Sequence, residues 1–143
     1  KDSIVDWQEA RGKIIYDPLR GGMKRDIHGW CIVDTDKEIT RYYRWWLQRE
    51  RHIILNQPSW DAHVSVVRGE LSASRHAMWK KHQGRHIQFK YQHGDVQVSK
   101  DKDQPGSFYW IRVDCPEVDQ IREELGLIAS WRYHHLTIGR THY

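Results

Sequence analysis

Apolar and polar positions along the chain switch between a period of two and a period near 3.6. Trp30–Asp34 (WCIVD) is a short apolar run of strand length. From Ile39 the spacing becomes helical. Ile39, Tyr42, Tyr43, Trp46 and Leu47 fall on one stripe, which predicts a helix to about Arg51. Thr35 followed by Glu38 has capping-box spacing at its start. Trp60–Arg68, after Pro58, reads as a strand, and Ser72–Gln83 as a short helix stopped by Gly84. Arg85–Gln92 alternates, with Ile87, Phe89 and Tyr91 on one face. Asp95–Ser99 is expected to pair with it through a His93-Gly94 turn. Ser107–Cys115 is a strand, Pro116 opens the helix Glu117–Leu125, Gly126 closes it, and Trp131–Gly139 is the last strand. Lys1–Gln8 is polar and reads as loose. Asp17–Gly29, with Pro18, Gly21, Gly22 and Gly29, reads as an irregular loop. Strands and helices interleave, with at least one hairpin, so the class is α+β.

The 143 residues suit one domain spanning 1–143, long enough to bury a core without disulfides or metal. Two cysteines, Cys31 and Cys115, fit a reducing cytosol better than a disulfide framework. No apolar run approaches the roughly 18–20 residues of a membrane span, and no apolar leader stands at the N-terminus. The net charge of +4 is dispersed, with no basic arm of the kind that binds long nucleic acid. Eight Trp and seven Tyr against two Phe favour a ligand with flat faces, because these rings join apolar area to a polar edge.

Two predicted strands carry the same pattern, His63-Val64-Ser65-Val66-Val67-Arg68 and His135-Leu136-Thr137-Ile138-Gly139-Arg140. Alternation on a strand points His63 with Ser65, and His135 with Thr137, to one face, and turns Val64, Val66, Leu136 and Ile138 inward. Ten histidines make a single His-x-hydroxyl triplet uninformative. Two copies, each on a strand and each with Arg five residues later, are a signal. Two imidazoles and two hydroxyls suit a phosphodiester. A neutral imidazole takes a proton from the attacking oxygen, an imidazolium gives one to the leaving oxygen, and the hydroxyls hold the phosphoryl oxygens. Such a set calls for no metal or other cofactor.

These paired strands resemble the 2H phosphoesterase superfamily. More narrowly, RGKIIYDP, ITRYYRWW, PSWDAHVSVVRGE and HLTIGR resemble the bacteriophage anti-CBASS phosphodiesterase family, over about Arg11 to Thr141. The resemblance implies a bilobal fold with pseudo-twofold symmetry and a central cleft, with His63, Ser65, His135 and Thr137 as the catalytic set. It implies attack of a ribose 2′-hydroxyl on the adjacent phosphodiester of a cyclic di- or trinucleotide such as 3′,3′-cGAMP. That chemistry would counter CBASS antiviral signalling in the cytoplasm of an infected bacterium. The partner is then the cyclic oligonucleotide itself, with no membrane or long nucleic acid and a monomer as the expected state. Which histidine is base and which acid stays open.

Tyr16, Trp30, Trp79 and Trp110 are candidates for stacking on a base, each against the alternative of packing beneath a loop. Tyr42, Tyr43, Trp45 and Trp46 read as helix packing. On ideal strands Arg68 and Arg140 point away from their histidines. Either the strand ends and the guanidinium swings to the substrate, or each is a solvent-side ion-pair partner. Asp61 and Glu70 flank the first motif, where a surface role outweighs orienting an imidazole. No zinc spacing, P-loop or serine-hydrolase elbow is present. Two alternatives stand beside the leading reading: a 2H enzyme acting on RNA ends or nucleoside 2′,3′-cyclic phosphates, and a protein that sequesters cyclic nucleotides without cleaving them.

Overall fold

A computed structural model describes residues 6–18, 29–58, 62–68, 70–100, 105–128 and 134–141. Its strands are β1 (Asp6–Tyr16), β2 (Trp30–Thr35), β3 (His63–Arg68), β4 (His86–His93), β5 (Gln97–Lys100), β6 (Ser107–Asp114) and β7 (His134–Arg140). Its helices are α1 (Lys37–Arg51), α2 (Leu71–Ser74) and α3 (Pro116–Glu124). The strands form a single antiparallel sheet in the order β4-β1-β2-β3-β7-β6-β5. A further pairing of β4 with β6, through Lys90–Asp114 and Tyr91–Val113, bends the sheet into a barrel-like form.

One face of this sheet is the core. Ile14, Val33, Val64, Leu136, Ile111 and Val113 meet Tyr43 and Leu47 of α1 and Val118 and Ile121 of α3 there. The four motif residues expected to turn inward (Val64, Val66, Leu136 and Ile138) are all buried. No helix among the described residues is long and apolar enough to cross a membrane.

Several local expectations change. Asp6–Gln8 is not loose but opens β1, which pairs through Asp6–Lys13 with β4 and through Gly12–Tyr16 with β2. Gly12 sits in that crossing because a Cβ would collide with the Val33 side chain and approach the Asp34 carbonyl at 2.9 Å. Asp36 rather than Thr35 caps α1, its carboxylate accepting from the Glu38 N–H at 2.9 Å, while the Thr35 hydroxyl donates to the Arg11 carbonyl. The helix over Ser72–Gln83 shrinks to the single turn of α2. Turns follow it, with Met78 N–H donating to His76 Nδ1 and Lys80 at φ 71°. The His93-Gly94 turn does not join a hairpin, because β5 pairs with β6 instead of β4. Most of the loop expected over Asp17–Gly29 lies outside the described residues.

Candidate functional site

The two motif strands are neighbours. β3 and β7 run antiparallel with Val64 opposite Leu136. One step along that register in either direction sets His63 against Thr137 and Ser65 against His135. Val64 and Leu136 point into the core, so all four chemical side chains share the other face. Each hydroxyl thus stands across from the imidazole of the opposite motif. His63, Ser65 and Thr137 are half-buried and His135 is exposed.

The flanking strands add residues that sequence spacing does not reveal. On β2, Asp34 pairs with His63 and Ile32 with Ser65. On β6, Arg112 pairs with His135 and Trp110 with Thr137. Paired residues share a face, so an acid stands beside one histidine and a base beside the other. Ile32, beside Ser65, is fully buried. The Trp110 ring lies 4.0 Å from that of His135, tilted by 36°, and its indole N–H donates to Ser99 Oγ at 3.0 Å. His135 keeps an edge in solvent but loses hydration on the side toward Trp110. This partial burial, and secondarily the charge of neighbouring His134, lowers its pKa from the ordinary imidazole value.

The arginines follow from two β-bulges. In β3, Ser65 pairs with Ile32 but Val67 pairs with Cys31, so Val66 is an extra residue. In β7, Thr137 pairs with Trp110 but Gly139 with Tyr109, so Ile138 is extra. Each insertion places two consecutive residues on the core side, Val66 with Val67 and Ile138 with Gly139, all buried. Parity is thereby reversed. Arg68 (paired with Trp30) and Arg140 (paired with Phe108) return to the face that carries the histidines. The Arg68 guanidinium lies 5.1 Å from the centre of the Trp30 ring, which places two of the sequence candidates together beside the first motif.

Other candidates fall elsewhere. Tyr16 pairs with Cys31 on the core side, 4% exposed. Trp79 packs edge-on against it at 4.8 Å and donates its indole N–H to Asp17 at 3.3 Å. Burial pushes the Tyr16 hydroxyl up to about 12. These two rings are not brought to the histidines. Glu70 makes a two-pronged ion pair with buried Arg122, at 3.0 and 3.1 Å, and does not orient an imidazole of the pair. Asp61 lies outside the described residues. His134 turns from the site and meets Asp119 at 3.0 Å, and His82 meets Glu124 at 2.8 Å. Among the described residues no three His, Cys, Asp or Glu side chains cluster as metal ligands. The buried thiols of Cys31 and Cys115 are raised in pKa chiefly by burial, which removes them as nucleophiles at neutral pH.

Residues 31–143 match the sequence model of a family described as Swiss Army Knife, 2H phosphoesterase domain. That span holds both motif strands, the helices and all the cross-strand neighbours just named except Tyr16 and Trp30. No curated protein and no solved structure gave a match.

Proposed function

The chain belongs to the 2H phosphoesterase domain family, and from that premise we propose that it is a metal-independent phosphodiesterase of cyclic di- or trinucleotide second messengers. The observation that carries this reading is the Val64–Leu136 register, which sets each motif histidine across from the other motif's hydroxyl. We read β1-β2-α1-β3 and β5-β6-α3-β7 as two halves related by a pseudo-twofold axis between β3 and β7. The part β1-β2-β3-β7-β6-β5 of the strand order supports this, since it runs the same way outward from that line, with β4 added beside β1.

In the proposed reaction the ribose 2′-oxygen bonds to phosphorus as the P–O5′ bond breaks. His135 takes the 2′-hydroxyl proton, and His63 supplies the proton that the O5′ leaving group needs. The environment of His135 favours this division. It packs against Trp110, and partial burial lowers its pKa, which favours the neutral imidazole that a base needs; the leaving group's proton then falls to His63. Ser65 and Thr137 hold the non-bridging oxygens, and Arg68 and Arg140 add positive charge for the phosphate. Opening of the resulting 2′,3′-cyclic phosphate by water uses the same histidines with their roles exchanged. Trp110, beside His135, and Trp30, beneath Arg68, are the rings placed to stack on bases.

The biological setting that suits this chemistry is removal of CBASS signals in the cytoplasm of an infected bacterium, by a monomer acting on the free nucleotide. A substrate panel tests it: 3′,3′-cGAMP, nucleoside 2′,3′-cyclic phosphates and 2′,3′-cyclic RNA ends, each followed by chromatography. Preferential cleavage of the cyclic dinucleotide is expected. Preference for either of the others would move the protein to RNA-end chemistry, and intact nucleotide in a tight complex would make it a sequestering protein.

A further inference from the structure

The two bulges that turn Arg68 and Arg140 toward the histidines are each held from the opposite half of the chain. An inserted residue leaves its own backbone groups out of the strand ladder, and an unmade buried hydrogen bond is costly. In β3 the carbonyl of the inserted Val66 accepts from Arg122 Nη1 of α3 at 2.7 Å. In β7 the carbonyl of the inserted Ile138 accepts from Arg44 Nη1 of α1 at 2.8 Å. α1 follows β2 and precedes β3, yet its arginine reaches β7. α3 lies between β6 and β7, yet its arginine reaches β3.

Both contacts have supporting structure. Arg122 is 6% exposed, is fixed by the Glu70 carboxylate, and also donates from Nε to the Ile128 carbonyl at 3.0 Å. Gly139, next to the second bulge, lies against the Arg44 stem. A Cβ there would stand 3.4 Å from Arg44 Cδ, near ordinary contact, but 2.6 Å from the Asn56 carbonyl.

We propose that Arg44 and Arg122 are positioning residues that brace each half's bulge from the other half, and so set where Arg140 and Arg68 meet the substrate phosphate. This rests on the phosphodiesterase reading above. It makes a crossed claim: Arg122 acts through Arg68, and Arg44 acts through Arg140. A general loss of packing would show no such pairing.

The test is a set of double-mutant cycles read in kcat/KM at a temperature where every variant is folded. Arg122→Met should lower kcat/KM about tenfold, mostly through KM. The loss should shrink to about twofold or less in an Arg68→Ala background and persist in Arg140→Ala. Arg44→Met should show the mirror pattern, and Arg44→Lys, which keeps one donor, should recover most of the loss. Equal losses in both backgrounds would overturn the proposal. Should Arg122→Met not fold, the Arg44 cycles carry the same decision. If the wild-type chain cleaves no phosphodiester, the function reading fails separately. The brace is then judged by NMR of the arginine Nε–H signals. Displacement at Arg68 in Arg122→Met and at Arg140 in Arg44→Met is expected, and the absence of both would overturn it.

Discussion

The indole of Trp110 lies 4.0 Å from the imidazole of His135 on the neighbouring strand. In the proposed reaction this contact would couple two roles, a surface for a flat ligand and a brake on protonation. Partial burial lowers the His135 pKa below the ordinary value of about 6.5, so the imidazole is neutral, and able to act as a base, to lower pH than usual. The rising limb of a bell-shaped kcat/KM profile should therefore fall below pH ~6.5. Trp110→Ala restores hydration and should move that limb to higher pH. A limb that stays fixed or moves lower would contradict the assignment of His135 as base.

Trp110 and Tyr16 should also separate by the kind of damage they cause. Loss of a base-stacking ring costs about 1–3 kcal/mol of binding, so Trp110→Ala should raise KM by roughly five- to 150-fold while leaving the thermal midpoint nearly unchanged. Tyr16 is a core residue beneath Trp79. Tyr16→Ala should cost about 3–5 kcal/mol of folding free energy, as large aromatic-to-alanine changes do, with KM nearly unchanged in whatever fraction remains folded. Denaturant unfolding and steady-state kinetics on the two variants decide this. A Tyr16→Ala protein of full stability and poor KM would reverse it.

Gly139 gives a test of the second bulge. A Cβ at this position would meet the Asn56 carbonyl at 2.6 Å and Leu55 Cβ at 3.0 Å. The segment around Asn56 is tied to β7 by two backbone hydrogen bonds with Arg140, at 2.8 and 3.1 Å, so it cannot retreat freely. Gly139→Ala should cost about 1–3 kcal/mol of stability and lower activity through displacement of Arg140. A neutral substitution in both respects would mean that the bulge is more yielding than its packing indicates.

Glu70 carries a stability effect with a definite sign. Its hydrogen bonds from Arg122 hold the carboxyl below the usual carboxylate range. Its contribution is thus present above the unfolded-state value of about 4.3 and is lost as pH falls through the lower folded value. Glu70→Gln should lower the thermal midpoint at pH 7, and the gap from wild type should narrow as pH falls below the ordinary carboxylate value. A gap that widens in acid would reverse the sign. Partial exposure of Glu70 keeps the effect modest.

The chemical half of the site was legible in the sequence because strand alternation acts within three residues. His63 with Ser65, and His135 with Thr137, need nothing but a local strand to share a face. The two arginines were ambiguous for the same reason: period-two reasoning fails at an inserted residue, and nothing in Val66-Val67 or Ile138-Gly139 announces a bulge. Asp34 and Arg112 were out of reach because their position beside the histidines is set by register between strands, which no local pattern encodes. Arg44 and Arg122 act across the fold and are hidden likewise. Among the elements, α1 is marked by its apolar stripe and α3 by Pro116 at its start and Gly126 at its end. No strand is announced anywhere over β1, whose first residues are polar, although Ala10, Gly12, Ile14 and Tyr16 do alternate toward the core. The His93-Gly94 turn suggests a β4–β5 hairpin, but pairing of β5 with β6 prevails.

The central claim is that the two motif strands form one acid–base site that works without metal. The measurement that tests it most directly is hydrolysis of 3′,3′-cGAMP in excess EDTA by wild type, His63→Ala and His135→Ala, with nucleotide binding measured in parallel. Cleavage by wild type is expected, with each variant losing at least 10²-fold in kcat while still binding the nucleotide. Full activity in either histidine variant, or wild-type activity abolished by EDTA, would contradict the account.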